Sequence, residues 1–198
     1  MKRTTFDKIA SIIGLMLGVG LLIAGALLSW GGNFATSQVK ANLSDQKIVF
    51  PAADSAGIKA LPAADAAAMK KYAGQMMTTG EQARTWSDNY IKVHMAAIGQ
   101  GKTYEEVSGE FMAANAQLAK TPADAALAAK VAGLGQVRQT LFMGSTLRGL
   151  LGFSYAFATI GSVAMIAAYV AYAGGLLFII LALLGFAHLR RVATDSEI

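Results

Sequence analysis

The sequence predicts an all-α membrane protein with two transmembrane helices, a small helical extracytoplasmic domain between them and an interfacial helix before the second span. Hydrophobic residues make up 55% of the 198 residues and charged residues 15%, against about 25% charged residues in an ordinary soluble domain. Charged residues are also missing from two long stretches, 9–39 and 149–187. This composition excludes a disordered chain, a coiled coil and a simple soluble enzyme.

The first charge-free stretch contains a segment long enough to cross a bilayer. Residues 9–30 are 22 uncharged, mostly apolar residues, IASIIGLMLGVGLLIAGALLSW. As a helix they span ~33 Å, against a hydrocarbon core of ~30 Å. A cleaved signal peptide is the rival interpretation, but its apolar core would have only ~7–15 residues. We therefore expect a transmembrane helix at 9–31, preceded by a short N-terminus at 1–8.

The second charge-free stretch, 149–187, has 39 residues, which is too long for one span and short for two. A hairpin turn at Gly161 leaves 12 residues before it, and a turn at Gly174 leaves 13 after it. Neither arm is long enough to cross a bilayer. The sequence therefore predicts one span at 163–187, preceded by an amphipathic interfacial helix at 141–162.

The basic residues at the two ends indicate the topology. Five of them flank the predicted spans: Lys2, Arg3, Lys8, Arg190 and Arg191. The positive-inside rule places both short ends, 1–8 and 188–198, in the cytoplasm, so the number of crossings is even. We expect a plasma-membrane protein with residues 32–140 outside. The formal charge of +5 follows from this topology, and without a basic and aromatic cluster we expect no nucleic-acid partner.

The outward segment predicts a connector at 32–61, with one strand-like run at 47–50, followed by short helices. Pro62 suits a first helical position. Thr121 and Pro122 suit the cap and first position of a later helix. Between them, two stretches have the spacing of capping boxes, Thr79 to Gln82 and Thr103 to Glu106. Because alanine dominates the apolar stripes, we expect a shallow domain that depends on a partner.

The side chains that carry chemistry are scarce. The chain has no cysteine and two histidines, His94 and His188. His94 lies on an apolar helix face near Tyr90, and without a second ligand at helical spacing a core or interface position is favoured over metal binding or proton relay. Neither span contains Asp, Glu, Lys or Arg, which argues against a pump, a transporter, a channel or an intramembrane haem or copper site. We expect no catalytic, cofactor-binding or metal-binding residues.

Small and aromatic residues predict helix packing instead. Gly14 and Gly18 form a GxxxG pattern, which permits close helix contact, although glycine is also simply common in transmembrane helices. We expect packing contacts at Gly14, Gly18, Tyr155 and Gly161. Arg148 lies at the predicted outer headgroup level, where it would bind an anionic lipid or a carboxylate of a partner.

Several short motifs resemble the extracytoplasmic core of a group of small actinobacterial membrane proteins. These motifs are TTGEQA at 78–83, YIKVH at 90–94, GKTY at 101–104 and VS at 107–108. Further stretches resemble that group's membrane-entry segment and final span: LRGLL at 147–151, YA at 155–156, LGF at 184–186, His188 and the Arg190-Arg191 pair.

The resemblance implies a bound subunit without catalytic residues. Members of the group often carry a ring-opening dioxygenase label, but a non-haem iron site needs clustered histidine and carboxylate ligands. The predicted topology places His94 and His188 on opposite sides of the membrane. The group also resembles small accessory subunits of the cytochrome bcc–aa3 respiratory supercomplex.

We therefore expect a non-catalytic accessory subunit that binds and stabilises a bcc–aa3-type respiratory complex. Its expected partners are the membrane, other integral membrane subunits and anionic lipids. The alternative is a membrane-anchored lipid- or quinone-binding module that uses the surfaces of Met76, Met77, Trp86 and Tyr90. We expect no enzymatic activity.

Overall fold

The computed structural model describes residues 3–191 and confirms a helical chain with two long apolar helices. Lys2, predicted as a cytoplasmic anchor, and residues 192–198 of the predicted tail lie outside the described residues. The helices in chain order are α1 (Arg3–Asp45), α2 (Ala56–Lys59), α3 (Ala63–Lys70), α4 (Gly80–Trp86), a π-helix (Ser87–Ile91), α5 (Lys92–Ile98), α6 (Tyr104–Leu118) and α7 (Ala125–Leu189).

Helices α1 and α7 are long and apolar enough to cross a membrane. The most apolar 18-residue window of each has a mean hydropathy of 2.4, and only 17% of it in α1 and 11% in α7 is buried inside the protein. The core helix of a soluble protein buries most of such a window, because exposed apolar surface is unfavourable in water. The low burial favours lipid-facing helices, and the predicted spans 9–31 and 163–187 lie within them.

Helix α1 continues past its predicted end, which corrects the connector expected at 32–61. No proline interrupts the chain before Pro51, so nothing stops the helix after the apolar segment. The helix ends near Lys47, which has a left-handed φ of +51°. There the amide of Lys47 donates to the carbonyl of Ser44 at 3.0 Å. The extra length carries α1 out of its charge-free stretch.

Helix α7 is continuous, so residues 141–162 do not form a separate interfacial helix. No proline follows Pro122, and an interior glycine costs a helix only about 1 kcal/mol relative to alanine. The predicted start is also corrected. The capping side chain is Asp124, whose Oδ1 accepts the amide of Leu127 at 2.9 Å, whereas Thr121 was expected to cap. A carboxylate in this position also interacts favourably with the helix dipole.

Both predicted capping boxes are confirmed. The hydroxyl of Thr79 accepts the amide of Gln82, and the Gln82 side chain accepts the amide of Thr79 at 3.1 Å. Thr103 and Glu106 make the same reciprocal pair at the start of α6. Helix α5 stops at Ile98, directly before Gly99.

The chain divides into two compact units. The helix-pair unit comprises Met1–Gln38 and Thr159–Ile198, and the central unit comprises Val39–Ala158. These bounds differ from the predicted domain at 32–140, because α1 and α7 each extend through both units.

The central unit has a core of large apolar side chains, which corrects the shallow, alanine-dominated core that was expected. Its most deeply buried members are Phe50, Ile58, Met69 and Met77. Next to Phe50, the strand-like run makes one isolated antiparallel bridge, from Val49 to Met76. Residues 3–191 contain no β-strand beyond this single bridge. The core also includes residues of both long helices: Val39, Leu43 and Leu151.

Candidate functional site

A seam of small, buried residues runs along the helix-pair unit. On α1 it consists of Ser11, Gly18, Gly25 and Gly32, and on α7 of Gly161, Ala168, Gly175 and Ala182. We call these eight residues the small-residue seam. Successive members on each helix are seven residues apart, the period that keeps one helix face towards a partner over several turns. The two helices therefore pack along one continuous stripe.

The seam pairs the helices in antiparallel register and brings their backbones very close together. A Cβ placed on Gly18 would lie 2.9 Å from the carbonyl oxygen of Gly175. Further along α1, a Cβ on Gly25 would lie 3.3 Å from the carbonyl oxygen of Ala168, and one on Gly32 would lie 2.8 Å from that of Gly161. Only small residues allow helices to approach this closely.

Of the three glycines predicted to pack against another helix, two lie in the small-residue seam and one lies beside it. Gly18 and Gly161 belong to the small-residue seam, whereas Gly14 lies beside it, with 3.7 Å between its ideal Cβ and the Cβ of Ala182. The relevant pattern is therefore the seven-residue spacing of Gly18, Gly25 and Gly32, which the GxxxG interpretation missed. That spacing is visible in the sequence as a signal of helix pairing.

The antiparallel seam brings the predicted anchors together. Arg3 and Lys8 lie at the start of α1, and Arg190 and Arg191 directly follow the end of α7. Because the two helices run in opposite directions within the helix-pair unit, these four basic residues are at the same end of it. Arg3 also lies near Asp7, with 3.9 Å between Nε and Oδ2.

Arg148 pairs with a carboxylate of its own chain. Its Nη2 donates to Oδ1 of Asp88 at 3.2 Å, and its Nε donates to the carbonyl of Ser87 at 3.2 Å. Its side chain is 33% exposed. The sequence did not predict this intrachain partner, and binding of a lipid or of a partner carboxylate by Arg148 stays a prediction.

Tyr155, about two helical turns after Arg148 on α7, belongs to the same polar group. Its hydroxyl accepts from Nη1 of Arg84 at 3.0 Å, and the guanidinium lies 4.9 Å from the centre of its ring. We call Arg84, Asp88, Arg148 and Tyr155 the polar clamp. It joins α4 and the π-helix to α7 inside the central unit, so Tyr155 packs against the small helices of that unit.

The π-helix was not foreseen from the sequence, and the polar clamp explains why it persists. A π turn leaves α-helical hydrogen bonding for one turn, which a chain tolerates where other contacts compensate. The carbonyl of Ser87 accepts both the amide of Lys92 and Nε of Arg148. Beside it, Asn89 donates to Oδ1 of Asp65 at 2.7 Å. Contacts from distant parts of the chain therefore hold this segment.

His94 is exposed at the end of a stack of aromatic rings, so the expectation of a core position is wrong. The stack runs through Tyr72, Phe50, Trp86, Tyr90 and His94, with successive ring centres 4.3–5.3 Å apart. One nitrogen of His94, Nδ1, lies 2.8 Å from the carbonyl of Tyr90. An interface role for it stays a prediction.

The surface expected for a lipid- or quinone-binding module is largely absent from the exposed part of the central unit. Met77 is fully buried, and Trp86 and Tyr90 pack against the core. Only Met76 of the four residues is well exposed, at 46%. Among residues 3–191, no group of three histidine, cysteine or acidic side chains is placed to hold a metal ion.

The side of α7 that faces away from the core of the central unit is strongly apolar. Its exposed members are Phe142, Met143, Leu147, Leu150, Phe153 and Phe157, each between 50% and 64% exposed. We call these six residues the outer face of α7. Leu141 and Leu151, on the opposite side of the helix, are buried. This part of α7 therefore packs one side against the central unit, with Arg148 and Tyr155 among the covered residues, and exposes an apolar side.

Comparison with protein families, curated proteins and solved structures finds no match to this chain.

Proposed function

We propose that the protein is a non-catalytic accessory subunit of the plasma membrane, which binds and stabilises a respiratory membrane complex of the bcc–aa3 type. The choice of a respiratory complex follows from the resemblance to small accessory subunits of that supercomplex. The observation that supports a protein partner is the exposed outer face of α7.

Membrane insertion accounts for the exposed surface of the helix-pair unit. Large apolar side chains on α1, such as Ile23 and Leu27, are 58% and 65% exposed, and on α7 Ile166 and Val170 are 64% and 68% exposed. In water this surface would be unfavourable at about 25 cal/mol per Å². In a bilayer it faces lipid tails, and both helices satisfy their backbone polar groups internally.

The arrangement of charges supports a cytoplasmic position for both ends. Arg3 and Lys8 share one end of the helix-pair unit with Arg190 and Arg191. Positive residues next to short ends favour the cytoplasmic side. In this orientation, Val39–Ala158 is extracytoplasmic.

The apolar surface of α7 is too long for a bilayer alone. The outer face of α7, from Phe142 to Phe157, precedes the predicted span 163–187 in the chain. That span alone is ~37 Å long as a helix, against a hydrocarbon core of ~30 Å. The outer face of α7 therefore lies beyond the hydrocarbon region when 163–187 is inside it.

A lipid layer does not explain this remaining surface, because a layer covers every side of a protein at a given depth. In the central unit, α1 exposes Lys40, Asn42 and Asp45, whereas α7 exposes Phe153 and its neighbours. Six large exposed apolar side chains of the central unit thus share the outer face of α7, whereas Met76, Ile98 and Met112 lie on other elements. A protein partner covers one side only, and an apolar helix face of an integral membrane subunit has the matching chemistry.

Co-purification from membranes in a mild detergent tests the proposal. The test variant carries Leu150→Ser, Phe153→Ser and Phe157→Ser, and the control carries Met76→Ser, Ile98→Ser and Met112→Ser, which are also exposed in the central unit. We expect the tagged wild type and the control to recover haem-containing subunits, and the test variant to recover at least tenfold less. Recovery of the wild type without haem, or equal recovery by the test variant, would contradict the proposal.

A further inference from the structure

An open groove of about 450 Å³ lies between α1 and α7, at the end of the helix-pair unit where α1 begins and α7 ends. The groove exists because small residues line its floor, among them Gly14 on α1 and Gly185 on α7. Its walls are apolar and come from Phe178, Leu181 and Leu184. The apolar lining of this groove on a lipid-facing helix pair matches the chemistry of a hydrocarbon chain.

The end of the helix pair at which the groove lies carries more basic than acidic residues, and we call this end the basic rim. Asp7 and His188 line the groove where it opens at this end. None of the basic residues Arg3, Lys8, Arg190 and Arg191 lines the groove itself, but each lies within four positions of Asp7 or His188 along the chain. Arg3 lies 3.9 Å from Asp7 and partly compensates its charge. The rim therefore favours a group with negative charge.

We propose that the groove holds one anionic phospholipid, with an acyl chain against Gly14 and Phe178 and with the headgroup phosphate at the basic rim. The distance along α1 from Asp7 to Gly14 is about 10 Å, so the polar rim and the apolar floor are separated as the head and tail of a lipid are. A partner helix fits this end poorly, because covering the rim would take several charges out of water.

The bilayer itself supplies the occupant. Water is unfavourable in a groove with apolar walls that opens onto hydrocarbon, whereas a lipid chain fills it without loss of contacts. The basic rim then distinguishes a retained lipid from the lipids around it, since Lys and Arg at the cytoplasmic surface attract anionic headgroups by about 1 kcal/mol each. This inference requires insertion of the helix pair but is independent of the proposed respiratory partner.

Native mass spectrometry of the full chain tests the site, after extraction from vesicles of equal amounts of dioleoyl phosphatidylglycerol and dioleoyl phosphatidylethanolamine. Gly14→Leu fills the groove, because a Cβ at Gly14 fits at 3.7 Å from Ala182 and the rest of the side chain occupies the floor. Gly20→Leu is the matched control, since a Cβ there points into open space.

We expect the wild type and Gly20→Leu to retain one phosphatidylglycerol per chain, and Gly14→Leu to retain at least tenfold less. A second variant, Lys8→Gln with Arg190→Gln, leaves the groove open and should lower the retained ratio of phosphatidylglycerol to phosphatidylethanolamine to about one. Equal retention by Gly14→Leu and the wild type would overturn the site. A wild type that retains both lipids equally, or neither, would overturn the proposed headgroup and the proposal with it.

The two proposals fail separately. Co-purification with the variant at Leu150, Phe153 and Phe157 tests the proposed respiratory partner. Retention of phosphatidylglycerol by the isolated chain tests the lipid site. Loss of partners from Gly14→Leu with lipid retention unchanged would show that a protein, and not a lipid, occupies the groove.

Discussion

Gly18 and Gly175 face each other across the helix pair so closely that neither has room for a side chain. A Cβ on Gly18 would lie 2.9 Å from the carbonyl oxygen of Gly175, and a Cβ on Gly175 would lie 2.8 Å from the carbonyl oxygen of Gly18. Both obstacles are backbone atoms, which cannot move without moving a helix. Because neither glycine has a side chain, the two backbones make direct van der Waals contact. Such contact holds two helices together in lipid, where there is no hydrophobic effect between them.

Replacing Gly18 with alanine should weaken the helix pair by about 1–3 kcal/mol, the usual cost of overpacking a tight contact. Reversible unfolding in mixed micelles, followed by circular dichroism, measures the change. Gly20→Ala is the control on the same helix, because a Cβ there has open space. An equal effect of the two substitutions would contradict the register of the small-residue seam.

A disulfide should form between cysteines introduced at Gly14 and Ala182. Their Cβ positions are 3.7 Å apart, close to the mean of about 3.8 Å in disulfides, and the chain has no cysteine of its own. The intrachain bond is detected by a loss of two mass units and a shift on non-reducing gels. Cysteines at Gly20 and Ala182 should remain reduced under the same oxidation, and the opposite pattern would exclude the antiparallel pairing.

Removing the guanidinium of Arg148 should destabilise the central unit by about 1 kcal/mol. Hydrogen bonds to charged groups contribute more than this when buried, but both Arg148 and Asp88 are partly exposed, at 33% and 47%, and solvent screens the pair. Arg148→Met is compared with Lys130→Met, an exposed position on the same helix. Unfolding is followed by the fluorescence of Trp86 in a Trp30→Phe background.

A double-mutant cycle separates the ion pair from the bond to Ser87. Asp88→Asn removes the charge of the partner, and Arg148→Met in that background still removes the hydrogen bond to the Ser87 carbonyl. We expect the two single effects to be non-additive, because the residues are in direct contact. Strict additivity would mean that the Arg148–Asp88 contact contributes nothing to stability.

The pKa of Glu106 should lie below its ordinary value and should depend on Thr103. The amide of Thr103 donates to Oε2 of Glu106 at 2.7 Å and its hydroxyl donates at 2.9 Å. These two bonds favour the charged carboxylate, the amide more than the hydroxyl, and lower its pKa. Since the pKa is lower in the folded state, this contribution to stability is present above the unfolded pKa and is lost as the pH falls through the folded one.

Thr103→Ala removes the hydroxyl and keeps the amide, so the pKa of Glu106 should rise only part of the way to its ordinary value. NMR titration of the Glu106 side-chain carboxyl carbon measures this directly. Glu105→Gln, one residue away, is the control for a general effect of charge. An unchanged pKa in Thr103→Ala would show that the hydroxyl does not stabilise the carboxylate.

Features that depend on neighbouring residues were accessible from the sequence. The two capping boxes were predicted because both partners of each, such as Thr103 and Glu106, are three residues apart. The two long apolar helices were predicted from composition, since a charge-free run of that length is itself the signal for a span. The ends of these helices were not predicted, because the local sequence gives only a weak signal where a helix stops without a proline or a strong cap.

Features that depend on residues far apart in the chain required the tertiary structure. The π-helix is held by Arg148, 60 positions after Asp88, and no local pattern signals that contact. The small-residue seam is periodic in the sequence, but only the antiparallel register pairs Gly18 with Gly175. The sequence by itself determined that the chain is helical and that two of its helices are apolar enough to cross a membrane. The contacts between distant elements decided which side chains are buried, paired or exposed.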